Sequence, residues 1–344
     1  MGIMKEYNYI IKYIFVLILT GFALTSCKKN LPDERLSIAN DSKYLRTVFE
    51  PVLGRNTLFS NVFQYGNSSR PLDFKIVNMR TFSGDPAPEM TTNYPVLVWK
   101  KVYDGNEKSI EEIEAKRTVE YHPLFEIRPH SGDFFMWASA NSNMIKAQPD
   151  SGYVFDVEMS NSGGRRYFQN LRVMPLRERP YEPSNLDPVT GQGTSISVNP
   201  TGVFIKGERD GQPLNTRDDV QVLFQKVGVG NSLTFKFIDT LSNVIDPNKF
   251  ADTDWENLVH GFNMVKTNTE VKYQTAYPIP LTSYPTKYTT QSGEQARVVF
   301  RFNRIGFGNV LEKNYLAFNF NIYQPGDWII TFWFKRDKPR FDND

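Results

Sequence analysis

The chain has 344 residues, of which 40% are hydrophobic, 14% aromatic and 23% charged, and this composition excludes a disordered chain, a collagen-like fibre and a polytopic membrane protein. Lys and Arg number 40, Asp and Glu 38, and a formal net charge of +2 predicts no nucleic-acid binding. One cysteine excludes a disulfide framework, three histidines argue against a zinc enzyme, and the length predicts about two domains.

The N-terminus has the composition of a secretory leader. Lys5 and Lys12 provide a basic start, and the apolar run Tyr13–Leu24 follows. A helix needs about 20 apolar residues to cross a bilayer, so the run is short for a span and has the length of a signal-peptide core. We therefore predict that residues 1–26 are a signal peptide.

The segment Leu24-Thr25-Ser26-Cys27 ends this leader and contains the single cysteine. It resembles the lipobox of bacterial lipoproteins, in which the cysteine is lipidated and becomes the first mature residue. The resemblance implies lipidation of Cys27, with a membrane anchor of about 0.8 kcal/mol per buried methylene group. Lys28 stands where an aspartate commonly retains lipoproteins in an inner membrane, so the resemblance implies the outer membrane and exposure at the cell surface. The alternative is a free, buried cysteine beside a removed leader.

The chain after the leader changes from polar to strand-like. Residues 27–41 lack apolar periodicity and predict a lipidated tether. Residues 42–175 predict an N-terminal β-sandwich, which we expect to be immunoglobulin-like. A helical pattern at Asn106–Arg117, with Asp104 as candidate N-cap, adds a short surface helix. The predicted strands are Leu72–Met79, Val96–Val102, Val119–Ile127, Phe134–Ala138, Tyr153–Met159 and Arg166–Met174.

A proline- and glycine-rich run at residues 176–194 predicts a linker between two domains. Residues 195–344 again predict short strands and a second β-sandwich, so the expected fold class is mainly all-β with two sandwich domains. A short helix is expected around Asp254–Val259. The predicted strands are Ser195–Lys206, Val220–Val227, Ser232–Asp239, Arg297–Phe302, Tyr315–Tyr323 and Trp328–Lys335.

No catalytic constellation is recognisable in the sequence. His122, His130 and His260 lie in separate segments and in no metal-binding frame, and there is no nucleophile elbow and no phosphate-binding loop. Paired carboxylates for glycoside hydrolysis depend on spatial proximity and stay open as an alternative. We expect a protein that is not an enzyme and needs no cofactor.

Acidic residues cluster between residues 246 and 256. Carboxylate oxygens at such spacing can bind calcium, although the order does not match the 12-residue calcium loop. A capped helix start explains Asp252 and Asp254 equally well. Both alternatives stay open, and no metal site is predicted.

The last two predicted strands allow an argument from register. If they pair as a hairpin with Tyr323 opposite Ile329, Phe318 and Phe320 share one core with Phe332 and Phe334, because side chains alternate between faces. The opposite face of that hairpin then collects Asn319, Asn321, Tyr323 and Trp333.

That second face has the chemistry of a sugar site, with Trp333 as a flat ring for stacking and Asn319, Asn321 and Tyr323 as polar neighbours. Trp255, in the polar segment 252–257, is the other tryptophan expected to be exposed. The alternative is that Trp333 and Tyr323 pack under a loop or against the first domain, because tryptophan is usually highly buried.

The layout of lipobox, tether and two β halves resembles accessory lipoproteins of Bacteroidota polysaccharide-utilisation systems, of the SusE and SusF type. Three segments, Asp246–Phe250, Leu258–Phe262 and Ala276–Leu281, resemble a lipoprotein family defined by a domain of unknown function. The resemblance implies a surface lipoprotein that binds a polysaccharide or oligosaccharide beside outer-membrane transporter components. The alternative is a structural or protein-interaction lipoprotein that binds no sugar.

Overall fold

The computed structural model describes residues 36–147 and 152–344. The predicted signal peptide, the lipobox with Cys27 and the first part of the tether lie outside these ranges. Strands dominate the described chain, and the predicted all-β, sandwich-like class is confirmed. Within these ranges, none of the helices is long and apolar enough to cross a bilayer.

The N-terminal half contains two sheets and two smaller strand pairs. The strands are β1 (Lys43–Tyr44), β2 (Val48–Phe49), β3 (Thr57–Phe59), β4 (Phe63–Gln64), β5 (Asp73–Thr81), β6 (Asn93–Trp99), β7 (Arg117–Pro123), β8 (Phe125–Ile127), β9 (Phe134–Met136), β10 (Tyr153–Asn161) and β11 (Gly164–Val173). One sheet has the order β2-β11-β10-β5 and the other the order β3-β9-β8, while β1 pairs with β4 and β6 with β7.

The strand order of these two sheets is immunoglobulin-like. Taken in chain order, β2, β3, β5, β8, β9, β10 and β11 are the first to the seventh strand of the two sheets. The second, fifth and fourth of these strands, β3, β9 and β8, form one sheet. The third, sixth and seventh, β5, β10 and β11, lie together in the other sheet, as in an immunoglobulin domain. The first strand differs, because β2 pairs in parallel with β11 at the edge of the second sheet.

Aromatic side chains fill the space between the two sheets. Phe49 and Phe155 from one sheet meet Phe125 and Phe134 from the other, and all four are fully buried. The ring centroids of Phe49 and Phe134 are 4.5 Å apart. The end of the predicted tether joins this core through Ile38, at the end of the sandwich where β10 turns into β11.

Between β5 and β8 the chain leaves the sandwich as the two-stranded ribbon β6–β7, which carries the helix Ile110–Glu114. The helix is shorter than predicted because Ser109, rather than Asp104, is its N-cap, and the Ser109 hydroxyl accepts from the Glu112 N–H at 3.2 Å. The Glu107 carboxylate accepts from the Asp104 N–H at 3.4 Å, as a capping box requires, but no helix begins at Asp104. The same carboxylate accepts from the Gly105 N–H at 3.1 Å and pairs with Lys116.

The expectation that this helix lies on the surface is only half right. Ile113 is fully buried in a small cluster with Tyr103, Ala276 and Leu281. The last two residues belong to the C-terminal half. The ribbon and its helix therefore form an arm that reaches from the first half onto the second.

The C-terminal half is a sandwich of two sheets. Its strands are β12 (Tyr181–Glu182), β13 (Thr201–Val203), β14 (Val220–Gly228), β15 (Ser232–Ile238), β16 (Gly261–Lys266), β17 (Val271–Thr275), β18 (Ala296–Gly306), β19 (Val310–Ile322) and β20 (Asp327–Phe334). In one sheet, β19 pairs on one edge with β18 and on the other with β12 and β13. The other sheet has the order β14-β20-β15-β17-β16.

The predicted hairpin between β19 and β20 does not form. The two strands lie in different sheets, and the intervening loop crosses from one sheet to the other, held by a hydrogen bond from Trp328 Nε1 to the Gln324 carbonyl at 2.9 Å. The shared core is confirmed, because the buried Phe318 and Phe332 face each other across the sandwich with ring centroids 5.8 Å apart.

Other elements of this half also differ from expectation. The strand predicted over Ser195–Lys206 is reduced to β13, and no helix forms around Asp254–Val259, where the chain makes turns. Asp254 accepts instead from the Asn257 N–H at 3.3 Å. The described helices are Pro88–Thr91, Ile110–Glu114 and Thr216–Asp219, with 3₁₀ turns at Pro247–Lys249 and Phe307–Asn309.

The segment 176–194 crosses between the halves in an extended, hydrogen-bonded form. The Leu176 carbonyl accepts from the Leu53 N–H at 3.1 Å, and β12, within the same segment, pairs with β19. In the ranges that the structure describes, no named strand before Leu176 pairs with one after it. The two large cores comprise residues within 44–173 and within 198–334.

Candidate ligand groove between the two halves

The structure separates the residues predicted to form one sugar platform. Trp333 lies half-buried on the outer face of the sheet that contains β20, where its Nε1 donates to the Asp239 carbonyl at 3.1 Å. Asn319 lies on the outer face of the opposite sheet and accepts from Arg297 Nη1 at 3.4 Å. Because these sheets face each other through the core, the two side chains lie on opposite sides of the sandwich and cannot contact one ligand ring.

Trp255 is not exposed, contrary to expectation. It is only 6% exposed and belongs to the core of the C-terminal half. Its ring lies 5.6 Å from that of Phe300, and its carbonyl accepts from the Tyr273 hydroxyl at 2.5 Å. The polar segment around it turns its charged side chains outward and places the indole inside.

Tyr323 and Asn321 are brought together, at the end of β19. Both line a groove of about 860 Å³ between the two halves. Asn321 donates from Nδ2 to the Glu294 carbonyl at 2.7 Å. Tyr323 packs against the first half, as the alternative interpretation proposed, because the Arg55 guanidinium lies 4.5 Å above its ring.

Both halves supply the aromatic side chains of this groove. Trp137 is 7% exposed and Tyr284 is 39% exposed, so the first provides a deep wall and the second an accessible ring. Trp99 reaches the groove from the arm, with the guanidinium of Arg117 4.9 Å from its ring. The aromatic residues that line the groove are Trp99, Phe135, Trp137, Tyr277, Tyr284 and Tyr323.

Charged side chains form a cluster beside these rings. Oxygen Oε1 of Glu182 is 2.8 Å from Nη2 of Arg55 and 2.8 Å from Nη2 of Arg179. Arg55 also donates from Nη1 to the Tyr323 hydroxyl at 3.0 Å. Two guanidinium groups thus share one carboxylate at the junction of the halves.

The arm and the C-terminal half meet at His260, which helps to hold the groove together. The Tyr103 hydroxyl is 2.6 Å from His260 Nδ1, and His260 Nε2 is 2.9 Å from the Glu107 carbonyl. A carbonyl only accepts, so Nε2 carries the proton and Nδ1 accepts from Tyr103. The ring stacks on Tyr288 with centroids 4.8 Å apart, and burial lowers the pKa of His260.

The other two histidines have local carboxylate partners. His122 lies between Glu120 and Glu126, at 3.1 and 2.9 Å; burial lowers its pKa, but the two carboxylates prevail and raise it. The exposed His130 is 3.1 Å from an Asp73 oxygen. Among the described residues, no three His, Cys, Asp or Glu side chains converge as a metal site, and Asp252 and Asp254 are no exception.

Arg55, Arg179, Trp99 and Trp137 were not singled out as site residues from the sequence. The first two lie in loop and crossing segments without a recognisable motif, and the tryptophans fit equally well as core residues. They approach one another only because the arm and the crossing segment bring the halves into contact.

Comparison with curated protein sequences and with solved structures gave no significant match. Residues 63–343 match the profile of a family described as Domain of unknown function (DUF5007). The match covers most of the chain, including the arm and both sheets of the C-terminal sandwich. The protein therefore belongs to the DUF5007 family.

Proposed function

We propose that this protein is a lipid-anchored outer-membrane protein that binds glycan without catalysis, as an accessory to polysaccharide uptake. The observation that carries the proposal is the groove between the halves, in which accessible aromatic rings lie beside amide and guanidinium groups. Sugar recognition needs this combination, a flat apolar surface for the ring and polar groups for its hydroxyls. The lipobox-like segment at Cys27 supports the membrane anchor, and its role stays a proposal.

The position of the groove suits a tethered receptor. The tether joins the first sandwich beside Asn161, at the end of β10. The crossing to the second half leaves from the opposite end, near Val173, which pairs with the first residue of β10. A strand of this length spans roughly 30 Å, so the groove lies well away from the point where the tether enters.

The direct test is a glycan array probed with residues 28–344, followed by calorimetric titration of each glycan that binds. Tyr284→Ala should weaken binding about tenfold, because it removes an accessible ring from the groove. Tyr167→Ala is the matched control, since Tyr167 is 51% exposed on β11 of the N-terminal sandwich and does not line the groove. Equal loss in both variants, or no binding to any glycan, would contradict the proposal.

One observation favours a second function, contact with other proteins. The turn between β18 and β19 exposes a run of apolar side chains, with Phe307 91%, Val310 60% and Leu311 52% exposed. Exposed apolar groups this close together mark interaction surfaces in many proteins. If the array is empty and Phe307→Ser abolishes chemical cross-links to outer-membrane components in cells, the interaction function replaces glycan binding.

A further inference from the structure

One part of the groove, around Arg55 and Arg179, has more guanidinium than carboxylate groups. Arg55 and Arg179 share the single Oε1 atom of Glu182, so this trio keeps one net positive charge. Its side chains are 14%, 23% and 26% exposed for Arg55, Arg179 and Glu182, which leaves the cluster within reach of a bound ligand. Two carboxylates, Glu178 and Glu294, also line the groove, so the positive charge is local to the Arg55–Arg179–Glu182 cluster. Glu178 accepts from the Ser142 N–H at 2.6 Å.

Several donors on the walls have no partner within the described residues. They are Nε of Arg117, Nε of Arg179 and Nε1 of Trp137, and the hydroxyl of Thr282 is also unpaired. A buried donor without a partner costs about 1–3 kcal/mol. These atoms each expose less than 1 Å², so a ligand acceptor reaches them only when the side chains rotate toward the groove. The part of the groove beside Arg55 and Arg179 therefore suits a ligand group that accepts hydrogen bonds and carries negative charge.

We infer that the groove binds an acidic glycan, one that carries an oxyanion on its sugar rings, rather than a neutral one. This inference rests on the proposed glycan-binding function and specifies its substrate class. A planar carboxylate or a sulfate ester accepts from guanidinium groups in paired geometry, which a hydroxyl does not match. The aromatic walls bind the sugar rings, and Arg179 with Arg55 binds the anionic group.

Matched ligand pairs test this inference. Calorimetric titration compares oligogalacturonate with its methyl ester, which has the same backbone without the charge, and carrageenan oligosaccharides with their desulfated forms. The charged member of at least one pair should bind at least tenfold more tightly, and its dissociation constant should rise with ionic strength. The pair that shows the difference identifies carboxylate or sulfate as the anion.

Substitution of Arg179 provides the second test. Arg179→Gln should weaken binding of the charged ligand about tenfold, the loss expected for one charge-assisted hydrogen bond. Arg177→Gln is the control, because Arg177 is an exposed arginine of the same segment outside the groove lining. Trp137→Phe keeps a smaller aromatic ring at this position and removes the indole N–H donor, and it should give a smaller loss.

Three outcomes overturn parts of this scheme separately. Equal affinity for charged and uncharged members overturns the acidic-glycan inference and leaves glycan binding intact. Unchanged affinity in Arg179→Gln, with the variant folded by circular dichroism, overturns the assignment of the anion to this cluster. Absence of binding to these ligands and to the whole array overturns the proposed function, and the inference with it.

Discussion

Phe332 shows how much of the stability of the C-terminal half depends on single aromatic residues. Its ring centroid lies 5.0 Å from that of Phe300 and 5.4 Å from that of Phe237, so it joins three strands of the two sheets. It is fully buried. Removal of such a ring leaves a cavity that neighbours in opposed sheets cannot close without moving both sheets.

We expect Phe332→Ala to lower the free energy of unfolding by about 3–5 kcal/mol, as aromatic truncations in cores do. Trp333→Phe is the neighbouring control and should cost less, about 1–2 kcal/mol, because it removes the hydrogen bond to the Asp239 carbonyl and part of a ring that is only half-buried. Urea unfolding followed by circular dichroism measures both. Equal effects at the two positions would contradict the assignment of Phe332 to the core.

At the far end of the same sandwich, a network of ion pairs joins β18 and β19 to the C-terminal residue. The Arg304 side chain is 1% exposed and donates to Glu312 at 2.8 Å and to Asp344 at 2.8 Å. Lys206 lies 2.6 Å from the other oxygen of Glu312. Hydrogen bonds from Lys206 and Arg304 lower the pKa of Glu312 below its ordinary value of 4.5.

The lowered pKa predicts an acid-sensitive contribution from Glu312. The unfolded chain protonates this group near pH 4.5 and the folded chain at lower pH, so the contribution is complete above 4.5 and is lost as the pH falls through the folded value. The stability difference between wild type and Glu312→Gln should therefore shrink between pH 5 and pH 3. Urea unfolding at a series of pH values measures it, and a constant difference would contradict the prediction.

At the scale of elements, the arm formed by β6, β7 and the helix Ile110–Glu114 joins the two halves. It contributes Ile113 to the small cluster with Ala276 and Leu281, and Tyr103 and the Glu107 carbonyl to His260. Two-stranded ribbons are marginal alone, and packing on the second half supplies the burial that this one lacks. The groove depends on that contact, because Trp99 and Arg117 reach it from the arm.

His260 should make this contact sensitive to pH. Burial lowers its pKa below the ordinary value of 6.5, with the cations Lys287 and Lys108 acting in the same direction and Glu107 opposing them. The stabilisation that neutral His260 contributes is therefore complete above pH 6.5, and it is lost as the pH falls through the pKa of His260 in the folded protein. Thermal unfolding between pH 7.5 and pH 5 should show a loss that His260→Gln reduces, and identical pH profiles would contradict the role of His260.

At the scale of the whole molecule, the order of parts is tether, first sandwich, groove and second sandwich. A receptor of this layout needs an anchor at its N-terminal end, which the lipobox-like segment would provide. We expect Cys27→Ala to abolish metabolic labelling with a fatty-acid analogue and to release the protein from the membrane fraction. Unchanged labelling in the variant would contradict the lipoprotein assignment, whatever the groove binds.

The sequence predicts those features of the fold that depend on residues close together in the chain. Alternation in β10, β14 and β15 predicted strands close to their observed bounds, because side-chain period is a local property of the backbone. The same rule placed Phe318 and Phe332 in one core. It did not decide whether their strands lie side by side or face to face, since both arrangements bury the same side chains.

The sequence by itself determined the all-β class, the bounds of strands such as β10, β14 and β15 to within two residues, and the apolar faces of β19 and β20, because these follow from neighbours a few residues apart. Only the tertiary structure decided that β19 and β20 belong to opposed sheets, that Trp255 is buried and that Arg55, Arg179, Trp137 and Tyr323 share one groove. These facts depend on contacts between residues far apart in the chain, which packing selects through the summed burial of whole sheets. The hydrophobic periodicity of a single segment carries no information about which segments pack against each other.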